Sequence, residues 1–244
     1  MRKVITTLFV LSVLALPGAA HAATVDLAWG ACAPAAGNET VTVTPGSQVS
    51  LYASVLGVAE GHKGYDIQIM YGNATSRTFP DAWAFNPAGC QGSSFITLDH
   101  LAPAAVVKVC PTFQGTLQSL QIKDVSNVLA SLPYEQTFMR ITLANAYPDG
   151  NTTQILPGTR YFLMRALFDH SFSVMGPSDP GNTCGGLETP ICFALINAVY
   201  VNLAEQAIPM TLGRGSVTAG TDAGCPASPV VNKTWGQLKS TYRN

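Results

Sequence analysis

Apolar residues recur at every second position along much of this chain, and that period decides the class of fold. Val25, Leu27 and Trp29 alternate with Thr24, Asp26 and Ala28; Val49, Leu51, Ala53 and Val55 alternate with Gln48, Ser50, Tyr52 and Ser54; Tyr65, Ile67, Ile69 and Tyr71 face away from Asp66 and Gln68. Side chains on an extended strand point to opposite faces in turn, so this pattern gives each segment one buried face. Further strands are predicted over 39–44, 93–98, 104–110, 117–122, 137–147, 161–174, 191–203 and 208–212. Between them lie turn formers: Pro45-Gly46, Pro148-Asp149-Gly150-Asn151, and a loop at 176–186 rich in Pro, Gly, Asp and Asn. Each offers a preset φ followed by residues that tolerate positive φ. One short helix is predicted from Asp124, a capping residue, to Leu132, stopped by Pro133. Strands do not alternate with long helices, which argues against a parallel α/β fold. An all-β fold follows, a single antiparallel sandwich with at most one or two short helices; the pattern also allows a closed barrel. The long strands 137–147, 161–174 and 191–203 are apolar on both faces in places and belong at its centre.

The chain opens with Arg2-Lys3, a short apolar run from Val4 to Leu16, a break at Pro17-Gly18, and Ala20-His21-Ala22. That is the layout of a secretory signal peptide cleaved after Ala22, and its apolar run is shorter than a membrane-spanning helix needs. The domain reading is therefore a signal peptide over 1–22 and one sandwich domain over 23–244. Of the 244 residues, 47% are hydrophobic and 11% charged, the reverse of a disordered chain. Removing the leader's Arg2 and Lys3 leaves 11 basic against 14 acidic side chains, and no basic stripe. Nucleic acid is thereby disfavoured as a partner, and no later stretch is apolar enough to span a bilayer.

Six cysteines stand at 32, 90, 110, 184, 192 and 225. An even number in an exported chain, without a Cys-x-x-Cys pair, reads as three disulfides in an oxidising compartment rather than as a metal site. The tight Pro- and Gly-rich loop favours Cys184 with Cys192; Cys90 with Cys110 comes second, and Cys32 with Cys225 is what remains.

Common catalytic layouts are missing from the sequence. It has no Gly-x-Ser-x-Gly elbow, no His-Glu-x-x-His and no phosphate loop, and nothing calls for a cofactor. Asp99-His100 and Asp169-His170 lie on strands, where neighbours face apart, so neither dipeptide chelates one ion. His170 shares a face with Phe162, Met164, Ala166 and Phe168 and reads as a core histidine; His62, in Glu60-Gly61-His62-Lys63-Gly64, reads as an exposed loop residue. Asp149-Gly150-Asn151 offers oxygens for calcium but fits a hairpin turn better. Paired carboxylates for glycoside cleavage can lie far apart in sequence, which leaves a glycoside hydrolase as the weakest of three readings. For ligand binding, the candidates are Trp83 and Trp235, which sit in loop-like contexts and could stack on a sugar ring; Trp29 reads as core.

Trp29-x-x-Cys32 follows the first strand, and Pro80-x-x-Trp83-x-Phe85 leads to Gly89-Cys90. Tyr161-Phe162 opens a long strand with Asp169-His170 near its end, and Pro190-Ile191-Cys192 starts the next. This order resembles exported bacterial proteins with a cohesin-like or carbohydrate-module-like β-sandwich. The resemblance implies a jelly-roll or cohesin-like fold and a secreted life, and no activity. Function is accordingly read as a secreted, non-catalytic binding or surface-structural module for an extracellular protein or polymer. The alternative is a polysaccharide-binding protein using exposed aromatics.

Overall fold

The structure is a computed structural model that describes residues 23–58, 62–74, 76, 78–112, 121–130, 136–146 and 155–220. The expected leader 1–22, the expected turn at Pro148-Asp149-Gly150-Asn151, Cys225 and Trp235 lie outside the described residues.

Among the described residues twelve strands build two sheets: β1 (Thr24–Trp29), β2 (Thr40–Val41), β3 (Gln48–Leu56), β4 (Gly64–Asn73), β5 (Ile96–Asp99), β6 (Gln121–Ala130), β7 (Gln136–Ala146), β8 (Arg160–Asp169), β9 (Ile191–Val201), β10 (Ala207–Pro209), β11 (Thr211–Leu212) and β12 (Ser216–Ala219). The first sheet runs β11-β1-β3-β8-β5 and the second β2-β12-β9-β4-β7-β6, with β10 added to β9. These described strands pair antiparallel except β1 with β11 and β12 with β2.

The alternation read from the sequence is the alternation observed. Val25, Leu27, Leu51, Ala53, Val55 and Phe168 of the first sheet meet Ile67, Ile69, Ile141, Phe193 and Leu195 of the second, all at most 1% exposed. Burial of this kind stabilises by roughly 25 cal/mol per Å² of apolar surface, which is what holds the layers together. Single-residue register shifts at Ala53/Ser54 and at Gln68/Ile69 increase the local twist without turning either run of side chains out of the core.

Several local expectations fail. The predicted helix from Asp124 is strand: β6 pairs with β7 from Gln121↔Asn145 to Ala130↔Gln136. A ladder of that length satisfies far more backbone than one capping side chain, and Val125 and Val128 favour strand geometry. Helical structure among the described residues consists of two 3₁₀ turns, Asp81–Trp83 and Ser93–Phe95. The predicted strand 104–110 is a coiled turn in which Cys110 N–H donates to Val106 O (2.9 Å) and Val107 N–H to Pro103 O (3.0 Å). Pro103 preforms the first turn, and the backbone bonds locally instead of along a neighbour. The short strand β12 was not foreseen.

The disulfide pairing also differs. Cys32 is bonded to Cys110 and Cys90 to Cys184, closing separations of 78 and 94 residues. The Cys184–Cys192, Cys90–Cys110 and Cys32–Cys225 pairings are thereby overturned. Nearness in sequence misled: Cys184 sits in the loop that folds back on Gly89-Cys90, whereas Cys192 lies inside β9, opposite Gly72.

Candidate functional site

Three regions hold side chains that the sequence singles out or overlooks. The first is an aromatic knot at one end of the core. Pro80 fixes the entry to the 3₁₀ turn that carries Trp83, and Trp83 N–H donates to Pro80 O (3.1 Å). The Trp83 ring centre lies 4.6 Å from His170, 5.7 Å from Phe168 and 5.6 Å from Phe193, while Phe85 lies 5.2 Å from Phe168 and 5.3 Å from His170. Tyr71 stacks on Phe193 at 4.7 Å, and its hydroxyl donates to Trp83 O (3.2 Å). Trp83 is fully buried, so it cannot stack on a ligand, and the candidate is withdrawn.

The loop that carries Cys184 seals this knot. Ala82 N–H donates to Gly185 O (2.9 Å). A Cβ on Gly185 would stand 2.3 Å from both Gly176 O and Ser178 N, so only glycine permits the approach. Inside, His170 Nδ1 lies 2.9 Å from Ser173 Oγ, which also accepts from Gln91 Nε2. His170 is a core histidine, as expected. Desolvation by burial pushes its pKa down to about 4, outweighing the charge of Asp169 and the Ala82 carbonyl, which favour the imidazolium. His62, read as exposed, is buried instead.

The second region is a flap, residues 101–112, laid over the outer face of the first sheet. Cys110 is bonded to Cys32 there, and Phe162 N–H donates to Pro111 O (3.0 Å). Cys32, Tyr52, Cys110 and Phe162 form a small second core with Ala102 and Val106 packed against it. The flap turns the rest of its apolar side chains outward: Leu101 is 59% and Val109 62% exposed. Beside the flap on the same outer face, Asp26 accepts from Arg160 (2.6 Å), a pair buried enough to be structural.

The third region is the open side of the sandwich, where the sheets end in β5 and β6. Among the described residues no strand pairs with the outer edge of either. Between them runs a groove of about 310 Å³ with Pro87, Ile96, Leu98 and Val125 as its apolar lining and Ser93, Lys123 and Asp124 as its polar rim. At one end Arg165 donates to Asp99 (2.8 Å from Nε), and half-buried His100 is held below its ordinary pKa by desolvation and by the charge of Lys123. Toward the other end Phe95 meets half-exposed Phe172, ring centres 5.0 Å apart. Reading the sequence missed this groove because Asp124 passed for a helix cap; the β-branched Ile122, Val125 and Val128 were the available signal for a strand.

The groove offers apolar burial flanked by one positive and one negative charge, together with a ten-residue backbone edge that is unpaired among the described residues. Such a site can take up an extended chain by strand addition. Among the described residues no three His, Cys, Asp or Glu side chains cluster to hold a metal ion, and no helix is long and apolar enough to cross a membrane.

Neither a protein-family model nor a curated protein matches the chain. Solved structures with a similar arrangement are cohesins. A type II cohesin domain from the cellulosome of Acetivibrio cellulolyticus matches at 9% identity over 82% of this chain and 96% of that one, with a TM-score of 0.42. A non-cellulosomal cohesin from the archaeon Archaeoglobus fulgidus matches at 8% identity over 82% and 94%, with a TM-score of 0.34. The type I cohesin–dockerin complex from Clostridium thermocellum matches at 11% identity over 82% and 94%, with a TM-score of 0.36. Likeness this remote says nothing of activity or partner; the β-sandwich stands on the strand pairing itself.

Proposed function

We propose that this chain is an exported, non-catalytic binding module, one domain after loss of its leader, that engages an extracellular protein through the open β5/β6 side of the sandwich. The observation that carries it is the pairing of a long strand edge, open among the described residues, with an apolar groove beside it. The edge supplies directed backbone hydrogen bonds, the groove supplies side-chain pockets, and together they select an extended segment of a partner. On the opposite side the sheets end in two-residue strands, β11 and β2, which offer little to pair with. Two disulfides among the described residues support an oxidising, extracytoplasmic setting. The groups with the most disturbed titration, His170 and Tyr71, are packed into the core rather than presented in a cleft, which favours binding over catalysis.

The test is a quantitative pull-down from the native cell surface and culture medium with two baits, the wild-type protein and Lys123→Glu/Asp124→Lys. Both positions are exposed, so the exchange leaves the core alone. A protein retained by the wild type and lost with the exchanged bait is expected. Equal recovery on both baits, or retention on polysaccharide alone, would overturn the assignment.

A further inference from the structure

We propose that the Cys90–Cys184 disulfide is a redox latch on the β5/β6 groove: a dithiol opens it in the folded protein while Cys32–Cys110 stays closed, and opening releases Phe172 from the groove's end. This regulation rests on the reading of the groove as the binding site.

The two bonds differ in access. Cys32 is 3% and Cys110 0% exposed, with Tyr52 and Phe162 packed around them. Cys184 is 2% exposed, but its partner Cys90 stands at the surface. Exchange requires a thiolate to reach one of the two bonded sulfurs, so access selects which bond is attacked. The incoming thiolate bonds to Cys90 Sγ, the Cys90–Cys184 bond breaks, and the departing Cys184 thiolate takes up a proton. The second sulfur of the dithiol then displaces Cys90, which is protonated in turn. Two electrons and two protons pass to the protein, and the dithiol leaves as a disulfide.

The bond joins the two segments whose aromatic rings meet at one end of the groove. Phe95 follows Cys90 by five residues and ends the 3₁₀ turn Ser93–Phe95 that leads into β5. Cys184 holds the other segment: its N–H donates to Phe172 O (2.8 Å), and its O accepts from Val174 N–H (2.9 Å). Phe95 and Phe172 meet edge to face with ring centres 5.0 Å apart. Phe172 is half exposed, so core packing does not fix it. Its place follows from the Cys184 backbone, and that backbone is tied to the β5 side by the bond to Cys90. Hydrogen bonds from Gln91 to Ser173 and from Ala82 to Gly185 cross the same boundary. Each is small net of its exchange with water, whereas the disulfide closes a separation of 94 residues.

Folded wild-type protein is treated with dithiothreitol, quenched with iodoacetamide at successive times, and digested with trypsin and a glutamyl endopeptidase. Alkylated 78–108 and 166–188 should appear at least roughly ten-fold faster than alkylated 109–123. Equal rates, or a Cys90–Cys184 bond that resists until the protein unfolds, would overturn the latch. Cys90→Ser/Cys184→Ser, folded by near-ultraviolet circular dichroism, should exchange the amide hydrogens of Val174 and of residue 184 several-fold faster than the wild type. As a pull-down bait it should retain several-fold less of the partner. Unchanged exchange, or full retention of a partner that Lys123→Glu/Asp124→Lys loses, would overturn control of the groove and leave its binding role standing. The reduction and exchange measurements use no partner, so a pull-down that captures nothing counts against the binding role alone.

Discussion

The loop pinned by Cys90–Cys184 and the flap pinned by Cys32–Cys110 are held by the same kind of bond and have opposite effects on the surface. The first drives Trp83, Phe85 and His170 into the end of the core, and what it buries is large, aromatic and fully enclosed. The second lies on an outer sheet face, buries its own Cys110 with three residues beneath it, and leaves Leu101 and Val109 turned to solvent. The contrast teaches that a disulfide fixes where a loop sits, while the side chains of the loop decide whether that place becomes core or surface.

The sharpest way to break this contrast is to truncate the knot. Trp83→Ala should lower unfolding stability by about 3–5 kcal/mol, the cost of emptying a large buried aromatic site. Urea unfolding reads it, and a loss no larger than that of a surface substitution would show that the knot is not core.

Next in size is the pH dependence that His170 imposes. Its pKa is about 4 when folded and 6.5 when free, so between those values the unfolded chain binds the proton more tightly. Stability is held in full above pH 6.5 and falls as the pH drops to about 4, by a total of about 3 kcal/mol. In His170→Gln this part of the slope should vanish. Unfolding curves that keep the same slope without the imidazole would remove His170 as the cause.

The smallest effect belongs to the flap. Leu101→Ser and Val109→Ser should each change stability by no more than about 0.5 kcal/mol, because these side chains already stand in water. A larger loss would place them in packing contacts and erase the difference between the two loops.

How far the sequence foretold this molecule follows from the range of the forces involved. The alternation in β1, β3 and β4 is local and was read correctly, down to Trp29 in the core and His170 among aromatics. The features it concealed depend on distant partners. Whether Asp124 caps a helix or sits in a strand was decided by β7, and where the turn begun by Pro103 comes to rest was decided by Cys32, 78 residues from Cys110. Trp83 stood in a loop-like context, which is accurate for its backbone, but the 94-residue closure between Cys90 and Cys184 turned that loop inward. The groove between β5 and β6 arises only when two edges from different sheets end on one side, and no window of sequence contains both.

The pairing of the cysteines tests this account most directly. When the unreduced protein is digested with trypsin and a glutamyl endopeptidase, the peptide carrying Cys32 should be joined to 109–123, and 78–108 should be joined to 166–188. Recovery of Cys184 joined to Cys192, or of Cys90 joined to Cys110, would contradict it, because neither the sealed knot nor the presenting flap could then be held where they are.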